Sequence, residues 1–240
     1  MESQFSRTAL LLGENAIELL WSKRVALFGA GGVGGFAAEA LIRAGIGALD
    51  VFDNDAVNES NLNRQIIALH STIGMSKVEA IKARLNDISP NAQIGAHQMF
   101  YLPENADQVD FARYDYIIDC IDTVKAKVDI AVRANLLGIP IISAMGAGNK
   151  LDPTKFEVAD LYETSICPLA RVMRSECRKR GVKHMKVVYS KEPPRTPLQQ
   201  LESDAPGRRS VPGSISFCPS VAGLILAGEV VRDLLGLTRE

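Results

Sequence analysis

Short apolar runs alternate along this chain with longer segments of helical periodicity. A few consecutive apolar residues bounded by polar or turn residues are typical of strands buried within a sheet. The predicted strands are Val25–Phe28, Leu49–Phe52, Ala92–Ala96, Tyr116–Cys120, Ile139–Met145, Lys155–Leu161, Lys186–Tyr189 and Ser214–Phe217. Apolar residues at intervals of three and four predict the helices Thr8–Trp21, Phe36–Ala44, Lys77–Ile88, Val124–Leu137, Cys167–Arg180 and Val221–Leu235.

The alternation of strands and helices predicts an α/β fold. Strand–helix–strand units form right-handed crossovers, so we expect a Rossmann-like, doubly wound, mostly parallel sheet with helices on both faces. After Gly148 the pattern changes, and a C-terminal antiparallel extension is expected there. The segment 190–212 contains five of the eleven prolines and few apolar residues, which predicts a mobile loop. A ligand is expected beyond the carboxyl ends of the parallel strands.

A glycine-rich turn follows the first predicted strand. Gly29, Gly31 and Gly34 form a G-x-G-x-x-G pattern that also contains Gly32, and Asp53 ends the second strand. Such glycines let the backbone approach phosphate, amides at a helix start bind anions, and the carboxylate takes ribose hydroxyls. This pattern predicts a nucleotide site, and it is shared by many NAD-dependent dehydrogenases.

The polar residues after Asp53 distinguish an NAD site from a site for a nucleoside triphosphate. A dehydrogenase needs a proton-transfer group near the hydride acceptor, and we interpret His70, His97 and His184 as surface or loop residues. The loop instead offers Asp55, Asn58, Asn61, Asn63, Arg64 and Gln65, followed by Lys77. Two cations and several amides beside a glycine turn suit a triphosphate whose leaving group gains negative charge. A solvated polar loop is the alternative.

Asp122 follows the strand predicted at Tyr116–Cys120. A carboxylate there suits Mg²⁺, which prefers oxygen ligands and phosphate. The alternative is a helix N-cap, a position that Asp also favours.

Five motifs occur in order in the first half: Gly-Ala-Gly-Gly-Val-Gly, Phe-Asp-Asn-Asp, Ser-Asn-Leu-Asn-Arg-Gln, Gly-Met-Ser-Lys and Asp-Cys-Ile-Asp. Together they resemble the ATP site of the ubiquitin-activating-like superfamily. The resemblance implies a single adenylation domain over 1–240, with an ATP-binding half at 1–148 and a substrate-binding and dimerisation half at 149–240. It implies attack of a carboxylate on the α-phosphate, which gives an acyl-adenylate and pyrophosphate.

The resemblance also assigns roles to individual residues. Asp53 would bind ribose, Asn61, Arg64, Gln65 and Lys77 would contact phosphates, and Asp122 would engage Mg²⁺–ATP. Arg7 would reach the phosphates in the partner's site of a homodimer. The implied ATP-binding set is Gly29, Gly31, Gly32, Gly34, Asp53, Asp55, Asn61 and Gln65, and the implied catalytic set is Arg7, Arg64, Lys77 and Asp122.

Two differences from the sulfur-carrier activators indicate that this chain belongs to another branch of the superfamily. The paired C-x-x-C motifs of sulfur-carrier activators are absent, so a structural zinc is not expected, and Asp122-Thr123-Val124 stands where those enzymes usually have Asn after Thr. Four further stretches, at 5–8, 164–174, 188–194 and 213–223, resemble the tRNA threonylcarbamoyladenosine dehydratases over nearly the full chain. That resemblance implies ATP-dependent cyclisation of N6-threonylcarbamoyladenosine at position 37 of tRNA.

Other functions stay open at this point. An adenylyltransferase for the C-terminal glycine of a sulfur-carrier or ubiquitin-like protein shares the first step. A nucleotide-binding, RNA-binding module without turnover is a third hypothesis, disfavoured by the joint presence of Arg64, Lys77 and Asp122. A monovalent cation or a sulfur-relay partner, as in some relatives, is left undecided by the sequence.

A basic segment favours a nucleic-acid substrate. Between residues 171 and 186 seven basic residues stand against the single acid Glu176. They are Arg171, Arg174, Arg178, Lys179, Arg180, Lys183 and Lys186. Such a helix can contact phosphates, with an affinity that falls as salt rises. An ordinary solvated helix is the alternative.

Composition limits the remaining possibilities. The net charge of −1 predicts no global electrostatic field, so any basic surface must be local. The N-terminus lacks the features of a secretory signal and no apolar run reaches about 18 residues, so we expect a cytoplasmic protein without membrane insertion. We interpret the cysteines 120, 167, 177 and 218 as mostly reduced thiols. Ring closure within the substrate would need no enzyme nucleophile, although Cys167 and Cys218 remain candidate participants.

Overall fold

The computed structural model describes residues 4–199 and 211–238. Within these ranges the strands are β1 Arg24–Phe28, β2 Ala48–Asp53, β3 Gln93–Gln98, β4 Tyr116–Asp119, β5 Ile141–Ala144, β6 Phe156–Asp160 and β7 Lys186–Ser190. The α-helices are α1 Ser6–Leu12, α2 Glu14–Trp21, α3 Gly34–Ala44, α4 Lys77–Ile88, α5 Val124–Leu137, α6 Pro168–Lys179 and α7 Phe217–Leu234. Short 3-10 turns lie at Glu59–Asn61, His70–Thr72, Ala106–Gln108, Phe111–Arg113, Pro153–Lys155 and Leu161–Glu163.

The strands form one sheet in the order β3-β2-β1-β4-β5-β7-β6. All neighbouring pairs are parallel except β6 and β7, which pair antiparallel at the sheet edge. This confirms the predicted α/β, doubly wound, mostly parallel sheet and its antiparallel extension. The order reverses direction at β1, so β1 and β4 lie where a ligand crevice opens.

Helices cover both faces of the sheet because alternate residues of β1 point to opposite sides. Val25 and Leu27 belong to one buried cluster, which also contains residues of α3, α4 and α7. Ala26 and Phe28 belong to a second cluster on the other face, with residues of α5. A third cluster joins α5 to α6 and β7. The glycine turn therefore emerges from a strand that is buried on both sides.

Two predicted elements at the ends of the chain are wrong. The single helix expected over Thr8–Trp21 is divided into α1 and α2 at Gly13, whose φ is +86°. Such a φ interrupts the helical hydrogen-bond ladder and favours glycine. The strand expected at Ser214–Phe217 is absent, and the chain instead enters α7 at Phe217. Pro219 fits there because the first turn of a helix needs no backbone donor.

The segment 190–212 falls partly outside the described residues, since 200–210 are not described. Beyond Ser190, the described parts contain neither helix nor strand. Asn149 is bonded to the chain within this segment and just after it: its backbone oxygen accepts from Arg195 N at 2.9 Å, and its backbone N donates to Gly213 O at 2.7 Å. None of the described helices has the length and apolar character needed to span a membrane.

Candidate active site

A cavity of about 360 Å³ opens beyond the carboxyl ends of β1, β2 and β4. It brings together most of the residues that the sequence assigns to a nucleotide. Its lining is Gly29, Gly31, Gly32, Phe52, Asp53, Asn54, Asp55, Asn61, Arg64, Gln65, Lys77, Met99, Phe100, Tyr101, Cys120, Ile121 and Asp122. A larger hollow of about 830 Å³ lies at the opposite end of the sheet, beside Tyr116 and Lys186, and none of the predicted nucleotide-binding residues lines it.

The glycine turn is held in a conformation that side chains would block. Gly29 has a φ of +94°, and a Cβ there would stand 2.7 Å from the backbone oxygen of Cys120. A Cβ on Gly34, the first residue of α3, would stand 1.8 Å from the oxygen of Gly29. A Cβ added to Gly31 would have only Gln65 Nε2 within 4 Å, at 3.9 Å. The turn is therefore tight at its ends and open at Gly31, where backbone faces the cavity.

Asp53 joins the glycine turn to the polar loop that follows β2. Its Oδ2 accepts from Ala30 N at 2.7 Å, and its Oδ1 accepts from Asp55 N at 2.8 Å. Each carboxylate oxygen has two lone pairs, so both can accept a further hydrogen bond. The carboxylate is fixed at the cavity wall and can bind the hydroxyls of a ribose.

Lys77, the first residue of α4, is 5% exposed and lines the cavity. Its Nζ lies 2.6 Å from Asp55 Oδ2, and its backbone N donates to Asp55 O at 2.9 Å. The Asp55 side chain is largely exposed, so the ion pair lies at the cavity mouth. An entering phosphate would compete with Asp55 for the ammonium group. In the structure, Asp55 therefore acts as the ion-pair partner of Lys77 rather than as a contact for a ligand.

Arg64 is a half-buried cation without a carboxylate partner among the described residues. Its guanidinium donates to Ser60 O and Asn63 Oδ1, both at 2.8 Å. Burial lowers the pKa of Arg64, yet a guanidinium remains charged in proteins. The neighbouring Gln65 Oε1 is buried and has no hydrogen-bond partner in the described part of the chain. A bound anion would supply the negative charge that the Arg64 guanidinium lacks.

Asp122 stands exposed at the end of β4. The N-cap of α5 is Thr123, whose side chain makes no capping bond, so Asp122 does not cap this helix. Its carboxylate accepts from Thr123 Oγ1 at 3.5 Å. An open carboxylate on the cavity wall fits a hard cation that is also bound by phosphate. The described ranges contain no group of three or more His, Cys, Asp or Glu side chains that could hold a metal by itself.

Several cavity residues were not predicted from the sequence. Met99, Phe100 and Tyr101 follow β3, and the expected strand ended at Ala96, too early to place them at the carboxyl edge. Tyr101 packs edge-on against Phe28, at 5.0 Å between ring centroids. Their place after an adjacent strand was the only available signal.

The structure does not bring every candidate to the cavity. Arg7 lies exposed on α1 and does not line it. Cys167 and Cys218 are buried elsewhere, and burial raises the pKa of Cys218. Cys120 does line the cavity, but burial raises the pKa of its thiol strongly. Since the thiolate is the reactive form, burial makes Cys120 a poor nucleophile, whereas Cys167 and Cys218 do not line the cavity.

The ThiF family model matches residues 5–240. The chain belongs to the ThiF family. It is 43% identical over 243 residues to the tRNA threonylcarbamoyladenosine dehydratase of Bacillus subtilis (strain 168), covering 98% of this chain and 96% of that protein. The corresponding enzyme of Escherichia coli (strain K12) is 38% identical over 175 residues, covering 73% and 65% of the two chains.

Solved structures agree with this family membership. The crystal structure of the Escherichia coli tRNA N6-threonylcarbamoyladenosine dehydratase in complex with ATP matches with a TM-score of 0.86 and 31% identity, covering 97% of this chain and 94% of that chain. The same enzyme in complex with AMP matches with a TM-score of 0.87.

The basic segment of this ThiF-family chain divides into two places. Arg171, Arg174, Arg178 and Lys179 line a shallow depression on α6, hereafter the α6 surface. The Arg178 guanidinium lies 5.1 Å from the ring centroid of Tyr162. Arg174 donates to Thr164 O at 2.9 Å.

The other cations of the segment, and Lys179 of the α6 surface, are paired with acids or lie away from that surface. Lys179 and Arg180 both pair with Glu176, at 2.8 and 2.6 Å. Lys183 is exposed beyond the helix. Lys186 does not belong to the α6 surface: its Nζ lies 2.6 Å from Asp233 Oδ1, in the hollow at the other end of the sheet. Sequence proximity grouped Lys186 with the helix, whereas β7 carries it away.

Proposed function

We propose that this chain catalyses the ATP-dependent dehydration of N6-threonylcarbamoyladenosine at position 37 of tRNA, through a carboxyl-adenylate, with release of AMP and pyrophosphate. One observation carries the proposal. The cavity gathers the glycine turn, Asp53, Arg64, Lys77 and Asp122 in a chain that matches the Bacillus subtilis dehydratase over 98% of its length. The complexes of the similar Escherichia coli enzyme with ATP and AMP support a nucleotide in this place.

The cavity walls suit different parts of ATP. The carboxylate of Asp53 would accept from the ribose hydroxyls, and the apolar side chains of Met99 and Phe100 would cover the base. The open backbone at Gly31 would bind phosphate beside the start of α3. Arg64 and Lys77 supply positive charge where the β- and γ-phosphates leave. The two cations thus act where negative charge grows during the reaction.

The reaction needs two displacement steps. An oxygen of the threonine carboxylate attacks the α-phosphorus, the bond to the β-phosphate bridging oxygen breaks, and pyrophosphate leaves. The carbamoyl group then closes onto the activated acyl carbon, loses a proton and expels AMP. The second nucleophile lies within the substrate, so ring closure benefits from a high effective molarity.

Magnesium fits the cavity through oxygen donors. Asp122 is open to the cavity and would hold the ion together with the phosphates. When bound, Mg²⁺ neutralises phosphate charge on the leaving group. The reaction would take place in the cytoplasm, where tRNA and ATP are available.

One experiment tests the proposed function directly. The protein is incubated with ATP, Mg²⁺ and tRNA that carries N6-threonylcarbamoyladenosine. The masses of the nucleosides released from the tRNA are then measured by mass spectrometry. Loss of one water from the modified nucleoside, with one AMP formed per event, is the expected result. An unchanged nucleoside, with pyrophosphate exchange that depends on a carrier protein, would instead support adenylation of a C-terminal glycine.

We infer that the active form is a homodimer in which Arg7 reaches the partner's cavity. Helix α1 buries none of its residues in the monomer, and it exposes Leu10 and Leu11 to 86% each. Such exposure of adjacent leucines marks a surface that a partner covers. Arg7 lies on the same helix, so covering α1 would place its guanidinium at a subunit boundary.

Complementation between subunits tests this role of Arg7. Each of the variants Arg7→Ala and Lys77→Ala is expected to be inactive alone. A heterodimer purified through two different tags has one site with both residues intact, so it should show about half of the wild-type activity. An inactive heterodimer would place Arg7 in the mechanism of its own subunit, and an active Arg7→Ala homodimer would place it outside the mechanism. Failure to obtain any heterodimer would reject the dimer.

We propose that the α6 surface binds the tRNA backbone. Replacing Arg171 and Arg178 together with Glu should weaken tRNA binding at least about tenfold and reduce its salt dependence by about one to two ion equivalents. The matched control reverses Lys82 and Lys191, which lie on α4 and beyond β7, and should leave both quantities nearly unchanged. Titrations of fluorescent tRNA at several salt concentrations measure this. If both variants lose the same amount of tRNA affinity, the effect comes from net charge and the α6 surface has no specific role.

A further inference from the structure

Lys127 and Asp119 form a fully buried ion pair beneath the cavity. Lys127 lies on α5 and Asp119 ends β4, and both side chains are 0% exposed. Lys127 Nζ lies 2.8 Å from Asp119 Oδ2. Neither residue lines the cavity, and the proposed chemistry uses neither of them.

The pair holds backbone groups at the ends of two strands. Lys127 Nζ donates to Ile121 O at 3.2 Å and to Ala144 O at 2.9 Å. With the contact to Asp119, these bonds use all three donors of the ammonium group. Ala144 is the last residue of β5, and Ile121 lies between β4 and α5. One side chain therefore connects the loops that follow two adjacent strands.

Asp119 completes the arrangement from the other side. Its Oδ1 accepts from Ile121 N at 3.2 Å, and its Oδ2 accepts from Ser143 Oγ at 2.6 Å. Ile121 is thus bound at both its N–H and its C=O, immediately before Asp122. These two bonds fix the peptide units on both sides of Ile121, and the second of these units leads directly to Asp122.

The same backbone also supports the glycine turn. The oxygen of Cys120 closes the space where a Gly29 side chain would stand, and Cys120 N donates to Phe28 O at 2.7 Å. A displacement of 120–121 would therefore press on the turn or leave it unsupported. A buried ion pair is weak evidence for stability, because desolvation of both charges offsets their attraction. Its position under the cavity loop that carries Asp122 points to another role.

We propose that Lys127 and Asp119 are positioning residues, which set the Asp122 loop and the loop after β5 in register for adenylation. This rests on the proposed function of the cavity. Loss of the pair shifts Asp122 relative to the glycine turn, and small misplacements of catalytic groups lower turnover more than they lower nucleotide affinity.

Two variants test the proposal. The double variant Asp119→Asn with Lys127→Met removes both charges together and leaves neither one buried alone. We expect kcat to fall at least about tenfold, while the dissociation constant for ATP changes less than about threefold. The milder variant Ser143→Ala removes one hydroxyl contact to Asp119, and its kcat should fall about threefold. It serves if the double variant does not fold.

A matched control lies on the same strand. Tyr116 Oη donates to Asp233 Oδ2 at 2.6 Å, at the other end of β4. Tyr116→Phe also loses a hydroxyl-to-carboxylate bond, and it should keep the wild-type kcat per folded molecule. If Ser143→Ala and Tyr116→Phe have the same kcat, or if kcat and ATP affinity fall together in Ser143→Ala, the positioning role is rejected.

Amide hydrogen exchange separates this proposal from the proposed function. It is measured on the protein alone, so it remains informative if tRNA proves not to be the substrate. Amides of 120–122 and 144–147 should exchange several-fold faster in Ser143→Ala than in Tyr116→Phe. Equal exchange in the two variants would contradict the positioning role, whereas failure to dehydrate the tRNA would contradict only the function.

Discussion

Replacing Lys77 with alanine is expected to lower kcat about 10³-fold, with tRNA binding retained. Its side chain is buried at the cavity wall. Among the described residues, Lys77 is the only lysine that lines the cavity. A preorganised donor aimed at a developing charge contributes about 10²–10³ in rate. Loss of Lys77 leaves the largely exposed Asp55 carboxylate in water, so the fold should lose little stability. Arg64→Ala should behave similarly, since it removes the second cation.

The comparison needs a lysine of the same helix that lies outside the cavity. Lys82 is on α4 and does not line the cavity, so Lys82→Ala should keep the wild-type kcat. Pyrophosphate release measured with saturating ATP and modified tRNA gives kcat, and filter binding gives the tRNA affinity. If the Lys77 and Arg64 variants turn over at the wild-type rate, the ATP site has been assigned to the wrong residues.

Replacing Gly34 with alanine is expected to destabilise the fold by at least about 3 kcal/mol. The added Cβ would stand 1.8 Å from the backbone oxygen of Gly29, a contact that only backbone movement can relieve. For a chain of this size, the loss should lower Tm by roughly 10 °C. Differential scanning calorimetry without ligand measures the change.

Gly31 provides the matched comparison within the same turn. A Cβ there meets no atom closer than Gln65 Nε2 at 3.9 Å, so Gly31→Ala should melt within about 2 °C of the wild type. Its methyl group would enter the space proposed for phosphate, and ATP affinity should fall about tenfold. Equal melting temperatures for the Gly31 and Gly34 variants would show that the turn relaxes more freely than its contacts indicate.

The sequence predicted the elements with local signals well. Helices α4 and α5 have the predicted bounds, because their periodicity is clear and each ends beside a turn residue. Ser214–Phe217 alternates in the manner of a strand, but a four-residue pattern cannot distinguish a strand from the approach to a helix. Gly13 gives no break signal in the sequence, because a single glycine within a periodic segment leaves the pattern intact.

What the sequence determined by itself was the chemistry within single segments: the glycine turn, the carboxylate proposed to bind ribose, and the polar loop with Arg64 and the lysine that begins the next helix. These depend on neighbouring residues and on the rule that parallel strands end at one edge. Only the tertiary structure decided which distant residues meet. It paired Lys77 with Asp55, moved Lys186 to the acids of α7, brought Met99 to the cavity and buried Lys127 beneath it. Such pairings follow from packing between elements far apart in the chain, which local residue patterns do not encode.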